Sequence, residues 1–220
     1  MLVCNPFLNS LKLDKLKGII FDCDGVLFDS RDVNIQFYNQ IRFLFDLPAM
    51  SLEQEEYVHT HSVQDSFRHI LPEGYEAKFP EIKNQLDYSK LLPYMRMENG
   101  LLELMDFLSP KTVRTAINTN RTTTMNLLLT TFGLENYFWP VITAADVSRP
   151  KPHPESLFKI LDHWSLMAHE VVFIGDSIVD QEAAMGAKVP FWAFKNETLQ
   201  AQMLIPDFWT LREFLTRSLK

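Results

Sequence analysis

Residues 171–187, VVFIGDSIVDQEAAMGA, decide how the rest of the chain is read. VVFIG is a short apolar run with no polar alternation, the pattern of a strand buried on both faces of a sheet. It stops at Asp176, and SIVDQEAAMGA (177–187) at once takes up a helical pattern. A buried strand feeding directly into a helix is the repeating unit of a parallel α/β sheet. Reading outward, the same unit recurs. KGIIF (17–21) is an apolar run ending in the turn-like DCDGVLFDS (22–30). VRTAIN (113–118) reads as a strand, and RTTTMNLLLTTF (121–132) as a helix stopped by Gly133. FWPVIT (138–143) is a short strand, PESLFKILDHWSL (154–166) a helix with Pro154 in its first turn, and PFWAF (190–194) the final strand. LLELMDFLS (101–109) is an amphipathic helix.

Between the first strand and the others, 32–97 reads as helical throughout, with breaks at Pro48, at Pro72–Gly74 and at Pro93, and shows no strand pattern. The helix that opens it starts near Arg31, capped by Asp29 or Ser30. The expected architecture is α/β: a Rossmann-like parallel sheet core made from 1–31 and 98–220, with 32–97 inserted as a helical domain.

Composition narrows the function classes. Apolar residues make up 46% of the 220, which is ordinary for a folded chain, and the formal net charge is −7. A chain of that sign has no general attraction for nucleic acid or for an anionic membrane, so neither is expected as a partner. An anionic substrate would need a local cation. Cys4 and Cys23 are the two cysteines and form neither a zinc spacing nor a disulfide framework. There is no apolar run of membrane-spanning length and no leader pattern at the start. The expectation is a cytoplasmic protein, monomer or homodimer.

Ligands in open α/β sheets bind beyond the carboxyl ends of the strands. The polar residues at those ends are Asp22-Cys23-Asp24-Gly25, Thr119-Asn120-Arg121, the loop residues Arg149-Pro150-Lys151-Pro152, and Gly175-Asp176-Ser177 followed by Asp180. Asp22, Asp24, Asp176 and Asp180 would converge at one edge of the sheet. Four carboxylates that close repel unless a cation or proton intervenes, and Lys151 supplies a single charge. A hard divalent ion with oxygen ligands answers the excess, and magnesium suits few carboxylates, several waters and a substrate phosphate.

Four stretches taken together, DCDGVLFDS, NTNR (118–121), RPKPHPE (149–155) and GDSIVDQEAA (175–184), resemble in order and spacing the signatures of the haloacid dehalogenase superfamily. Within it the layout is most similar to the phosphoglycolate phosphatase and β-phosphoglucomutase group, and the helical insertion resembles that group's cap. The resemblance implies a magnesium-dependent phosphatase acting on a small phosphorylated metabolite. It implies that Asp22 is a nucleophile carrying an aspartyl phosphate and that Asp24 is the general acid and base. Thr119, Asn120 and Lys151 would bind phosphate. Magnesium would be held by Asp22, Asp176 and the Asp24 carbonyl, with Asp180 acting through water or from behind the direct ligands. A phosphomutase would use the same core, and a non-catalytic binding protein on this fold would be expected to lack one of these groups.

Arg68 lies in HSVQDSFRHIL (61–71), which resembles the cap segment that borders the active site, so it is expected to contact substrate. His59 and His61 have no third ligand at a metal spacing and read as surface or cap-facing residues. Cys23 reads as core, and His153 has no assigned role. Two features depart from the family pattern: Asn118 stands where an apolar strand residue is usual, and PYMRMEN (93–99) lacks the proline-glycine turn.

Overall fold

The computed structural model describes residues 3–4, 15–60, 63–75, 78, 81 and 85–219. It divides into two compact units, Met1–Phe28 with Met97–Lys220, and Asp29–Arg96.

The larger unit is built on a seven-stranded sheet. In chain order its strands are β1 (Val3–Cys4), β2 (Gly18–Phe21), β5 (Arg114–Asn118), β6 (Val141–Ile142), β7 (Val171–Gly175), β8 (Phe191–Phe194) and β9 (Met203–Ile205), the numbers β3 and β4 belonging to the short strands Phe28–Asp29 and Arg96–Met97. The spatial order is β1-β9-β8-β7-β2-β5-β6. Six strands run parallel, and β1 pairs antiparallel with β9 at one edge. The expected parallel α/β sheet is therefore present. β2 lies between β7 and β5 and registers Phe21 with Ile117 on one side and Ile174 on the other, so the residues after all three strands emerge together.

Every residue of β2, β7 and β8 is buried, as the unalternating apolar runs require. One face of the sheet is covered by the helices Glu155–Trp164 and Ile178–Ala187. There Ile20, Ala116 and Phe173 pack against Leu157, Ile160, Trp164, Ala183 and Ala184. On the other face Phe208 sits edge-on against Phe21 and tilted against Phe194.

Phe208 begins a helix, Phe208–Ser218, capped by Asp207, whose carboxylate accepts from Thr210 N at 2.7 Å. Neither this helix nor β9 belongs to the sequence reading, which ends the sheet at Phe194. β9 has three residues and β1 two, too short for a periodic pattern to declare itself. Other boundaries also move. The strand expected over 138–143 is regular only at Val141–Ile142. Trp139 N–H still donates to Thr115 O at 2.8 Å and Pro140 O accepts from Ile117 N at 3.2 Å, but Pro140 has no N–H to extend the ladder. Pro154 precedes the first helical residue instead of occupying it. The helix 125–132 ends at Gly133 in the left-handed conformation, as expected.

The smaller unit holds the helices Arg31–Leu44, Leu52–Thr60 and Val63–Ile70 and a 3-10 segment, Tyr88–Tyr94, that contains Pro93. Its own core is Tyr38, Ile41, Met50, Val58, Phe67, Ile70 and Leu71. Buried Arg42 is satisfied by the carbonyls of Pro48 and Ile70. Asn39 is satisfied by Met50 N–H at 2.8 Å. Asp29, not Ser30, caps the first helix, its carboxylate accepting from Arg31 N at 3.1 Å. The strand Arg96–Met97 falls inside a stretch that reads as strandless. Among the described residues no helix is long and apolar enough to cross a membrane.

Candidate active site

Asp22 is the first residue beyond β2, and its N–H continues the ladder to Ile174 O at 2.9 Å. The backbone geometry of the strand thus fixes the base of its side chain. The Asp22 carboxylate is 7% exposed as a residue, and its Oδ1 takes two bonds, from Cys23 N–H at 2.7 Å and from Lys151 Nζ at 2.7 Å. Those bonds leave Oδ2 as the oxygen available to an electrophile.

Lys151 is the buried cation of the site. Its Nζ donates to Asp22, to Asp180 Oδ1 at 2.6 Å and to Asn118 O at 3.0 Å, using all three ammonium hydrogens. Burial alone favours loss of its proton, but Asp180 and Asp22 outweigh that and hold the ammonium above its ordinary pKa. Asn120 fixes the backbone from which Lys151 projects: its amide donates to Lys151 O and accepts from Lys151 N–H, both at 3.0 Å. Asn120 was expected on phosphate, but its side chain is occupied as a clamp on the lysine loop.

Asp180 has no exposed surface, and its second oxygen accepts from Ser177 N–H at 3.2 Å and from the Ser177 hydroxyl. Both its oxygens are therefore engaged in ordering Lys151 and the start of the helix 178–187. Asp176 is less buried, and Asn196 Nδ2 holds its carbonyl at 2.8 Å. Asp22, Asp176 and Asp180 each offer a carboxylate oxygen within 4.8 Å of the others. Burial first, then the charge of Asp180, push Asp176 up to about 7 and Asp22 well above the ordinary carboxylate range. One lysine does not neutralise this group, and hard oxygen donors at that spacing fit a small divalent cation.

Two glycines make the approach close enough. Gly25 has φ +75°, and a Cβ there would lie 2.0 Å from Asp176 Oδ2. A Cβ on Gly175 would lie 2.4 Å from Cβ of Asp180. Gly25, just after Asp24, and Gly175, just before Asp176, are thus where backbone meets carboxylate.

Thr119 follows β5, is 3% exposed, and accepts at Oγ1 from Arg121 N–H at 3.1 Å, so its own hydroxyl hydrogen is left to donate. The Asp24 carboxylate is not with the other three. It is gripped by Arg121, Nε to Oδ2 at 2.7 Å and Nη2 to Oδ1 at 2.5 Å. Arg121 and Ser177 stand at this edge in the sequence without an assigned role, and Asn196 lies outside the four signatures. The signal for Arg121 was its charge, two residues beyond Thr119 in a site otherwise crowded with carboxylates. Buried Asn118 keeps its side-chain amide atoms without a hydrogen-bond partner, while its carbonyl serves Lys151.

In the helical unit Arg68 pairs with Asp65 at 3.4 Å on an exposed helix surface. The side chain of His59 and all of His61 lie outside the described residues.

Comparison with known proteins accords with this arrangement. Residues 19–194 match the family model of haloacid dehalogenase-like hydrolases. A phosphoglycolate phosphatase of Pectobacterium atrosepticum is 28% identical over 191 residues, covering 80% of this chain and 79% of the relative. A pyrophosphatase, PpaX, of Listeria monocytogenes is 27% identical over 204 residues, covering 88% and 91%. The crystal structure of a haloacid dehalogenase-superfamily hydrolase of subfamily IA, variant 1, from Geobacter sulfurreducens superposes with a TM-score of 0.82 at 36% identity, over 92% of this chain and 97% of that one. With four motif loops gathered at one sheet edge and the family model matched from β2 to β8, the chain belongs to the haloacid dehalogenase-like hydrolase family and is an enzyme of that family.

Proposed function

We propose that the protein is a magnesium-dependent phosphatase that hydrolyses a small phosphomonoester through an aspartyl phosphate on Asp22. The observation that carries this reading is the Lys151 ammonium bound at once to Asp22 and Asp180, beside Asp176, with Asp22 Oδ2 left open. A nucleophilic carboxylate must be ionised, and Lys151 stabilises that form against burial.

Asp22 Oδ2 attacks phosphorus, the bond from phosphorus to the leaving oxygen breaks, and Asp24 delivers a proton to that oxygen. Water then attacks the aspartyl phosphate while Asp24 takes its proton, the bond from phosphorus to Asp22 breaks, and phosphate leaves. Thr119 donates its hydroxyl hydrogen to a phosphoryl oxygen, and Lys151 adds positive charge beside the group being transferred. Magnesium would be held by Asp22 and Asp176 with the Asp24 carbonyl, Asp180 standing behind them, and would supply charge neutralisation for the aspartates and the phosphoryl oxygens. The helical unit is read as the family's cap, with Arg68 as its substrate contact, on the resemblance of HSVQDSFRHIL.

Phosphate release from p-nitrophenyl phosphate, measured with magnesium and with EDTA, tests the reading. Release that needs magnesium is expected. No release under either condition from folded protein would overturn it. A panel of phosphorylated metabolites then identifies the substrate, and transfer of the phosphoryl group within a sugar phosphate, without net release of phosphate, would make the enzyme a mutase.

A further inference from the structure

We infer that Arg121 is a positioning residue for the general acid and base: its guanidinium holds Asp24 in the orientation that serves the leaving group. The inference rests on the reading of Asp24 given above and extends it to a residue that the motif resemblance leaves without a task.

The geometry is a two-point grip. Nε and Nη2 of Arg121 bond separate oxygens of Asp24, at 2.7 and 2.5 Å. The planar fork of arginine matches the ionised carboxylate in this way, fixing both its place and its plane, and one of the two bonds still holds Asp24 when its other oxygen carries the proton for the leaving group. Asp24 needs such a restraint. It sits on the turn after β2, ahead of Gly25, and its side chain is 37% exposed. With no partner it would sample several rotamers.

Arg121 is itself held from behind. Its side chain is 11% exposed, and its third nitrogen, Nη1, reaches Thr124 Oγ1 at 3.2 Å. Its N–H bonds Thr119 Oγ1 at 3.1 Å, and its carbonyl accepts from Ala144 N–H at 2.9 Å. Arg121 therefore ties Asp24 to the loop that carries Thr119, so the proton-transfer group and the phosphate-binding hydroxyl keep a fixed relation. An ion pair with one partner this exposed adds little to fold stability. Its value is geometric, since a general acid misplaced by an ångström loses most of its effect.

The test is a double-mutant cycle. Turnover of phenyl phosphate, whose phenoxide leaves poorly without a proton, is compared with that of p-nitrophenyl phosphate, whose phenoxide leaves well. Arg121→Ala should lower kcat on phenyl phosphate by about 10²-fold, the scale of a small misplacement of a catalytic group, and lower it less on p-nitrophenyl phosphate, with KM unchanged. Arg121→Lys should show the same pattern, because a lysine restores charge but not the fork. It also serves if the alanine variant does not fold, as judged by circular dichroism. In an Asp24→Asn background, removing Arg121 should cost nothing further. An Arg121 effect that persists undiminished in that background, or that appears as a raised KM, overturns the inference and makes Arg121 a phosphate ligand. If Asp24→Asn slows both substrates equally, the assignment of Asp24 as acid and base fails, and the role of Arg121 fails with it. If wild-type protein releases no phosphate, the reading of the function fails.

Discussion

Lys151→Met removes the cation that stands between Asp22 and Asp180 while nearly conserving the volume of the side chain, so its effect is electrostatic. Lys151 is 5% exposed and bonds Asp22 at 2.7 Å, Asp180 at 2.6 Å and Asn118 O at 3.0 Å. Taking one partner out of a buried ion pair typically costs ~3–5 kcal/mol because a charge is left uncompensated, and here two carboxylates are left facing each other. For a chain of this length each kcal/mol moves Tm by roughly 2–4 °C, which puts the expected fall at about 6–20 °C in metal-free buffer at pH 8.

The pH dependence has a definite sign. Asp22 already has a raised pKa from burial and from Asp180, with Lys151 opposing both. Without Lys151 the folded state holds that proton still more tightly than the unfolded chain does. A folded pKa raised in this way makes stability fall as pH climbs out of the carboxylate range, so the deficit of the variant is largest at pH 8 and shrinks at pH 5. Wild-type Lys151, whose pKa is raised, stays charged at both pH values. Thermal unfolding by circular dichroism at the two pH values, with EDTA and with magnesium, measures the effect, and magnesium should restore part of the loss. A variant that melts with the wild type at pH 8 without metal, or whose deficit grows on acidification, would refute the argument.

Asp22→Asn should keep the fold and abolish turnover, since an amide cannot form the acyl phosphate. Retention of more than about a hundredth of the wild-type rate in a steady-state assay would remove Asp22 from the role of nucleophile. EDTA should stop phosphate release and magnesium restore it, whereas calcium, with its larger and looser coordination, should restore it poorly; full activity in EDTA from protein free of metal by elemental analysis would contradict the site. Gly25→Ala would put a Cβ 2.0 Å from Asp176 Oδ2 at a backbone position of φ +75°. Titration by calorimetry should show magnesium affinity falling at least about 10-fold, the size seen when groups supporting a metal site are disturbed, and unchanged affinity would show that Asp176 does not need that approach.

The sequence by itself determined the buried strands of the sheet and the inventory of its active edge. Apolar runs such as GIIF and VVFIG carry their burial in their composition, because a strand covered on both faces has no position for a polar side chain. The residues that follow such strands must emerge at one edge, so Asp22, Thr119, Lys151 and Asp176 could be named from the order of elements alone. The helix Phe208–Ser218 was legible too, with Phe208, Leu211 and Leu215 on its buried face behind the capping Asp207, yet the reading stops short of it. β1 and β9 were not legible, since two or three residues hold no period and their pairing with each other is a long-range event.

Only the tertiary structure decided who holds whom. Lys151 lies 129 residues from Asp22 and Arg121 lies 97 from Asp24, and no local pattern relates partners so far apart. The sequence placed four aspartates together as one charged set. Folding sorts them: three carboxylates come within 4.8 Å of one another, while the Asp24 carboxylate is drawn to Arg121. Asn120 likewise turns to the lysine loop because its amide matches the N–H and C=O of Lys151, which only the folded sheet edge brings within reach. Which segments become strands and helices follows from the apolar pattern written along the chain, whereas hydrogen-bond partners and charge pairs depend on ångström-scale distances that exist only after the sheet has assembled.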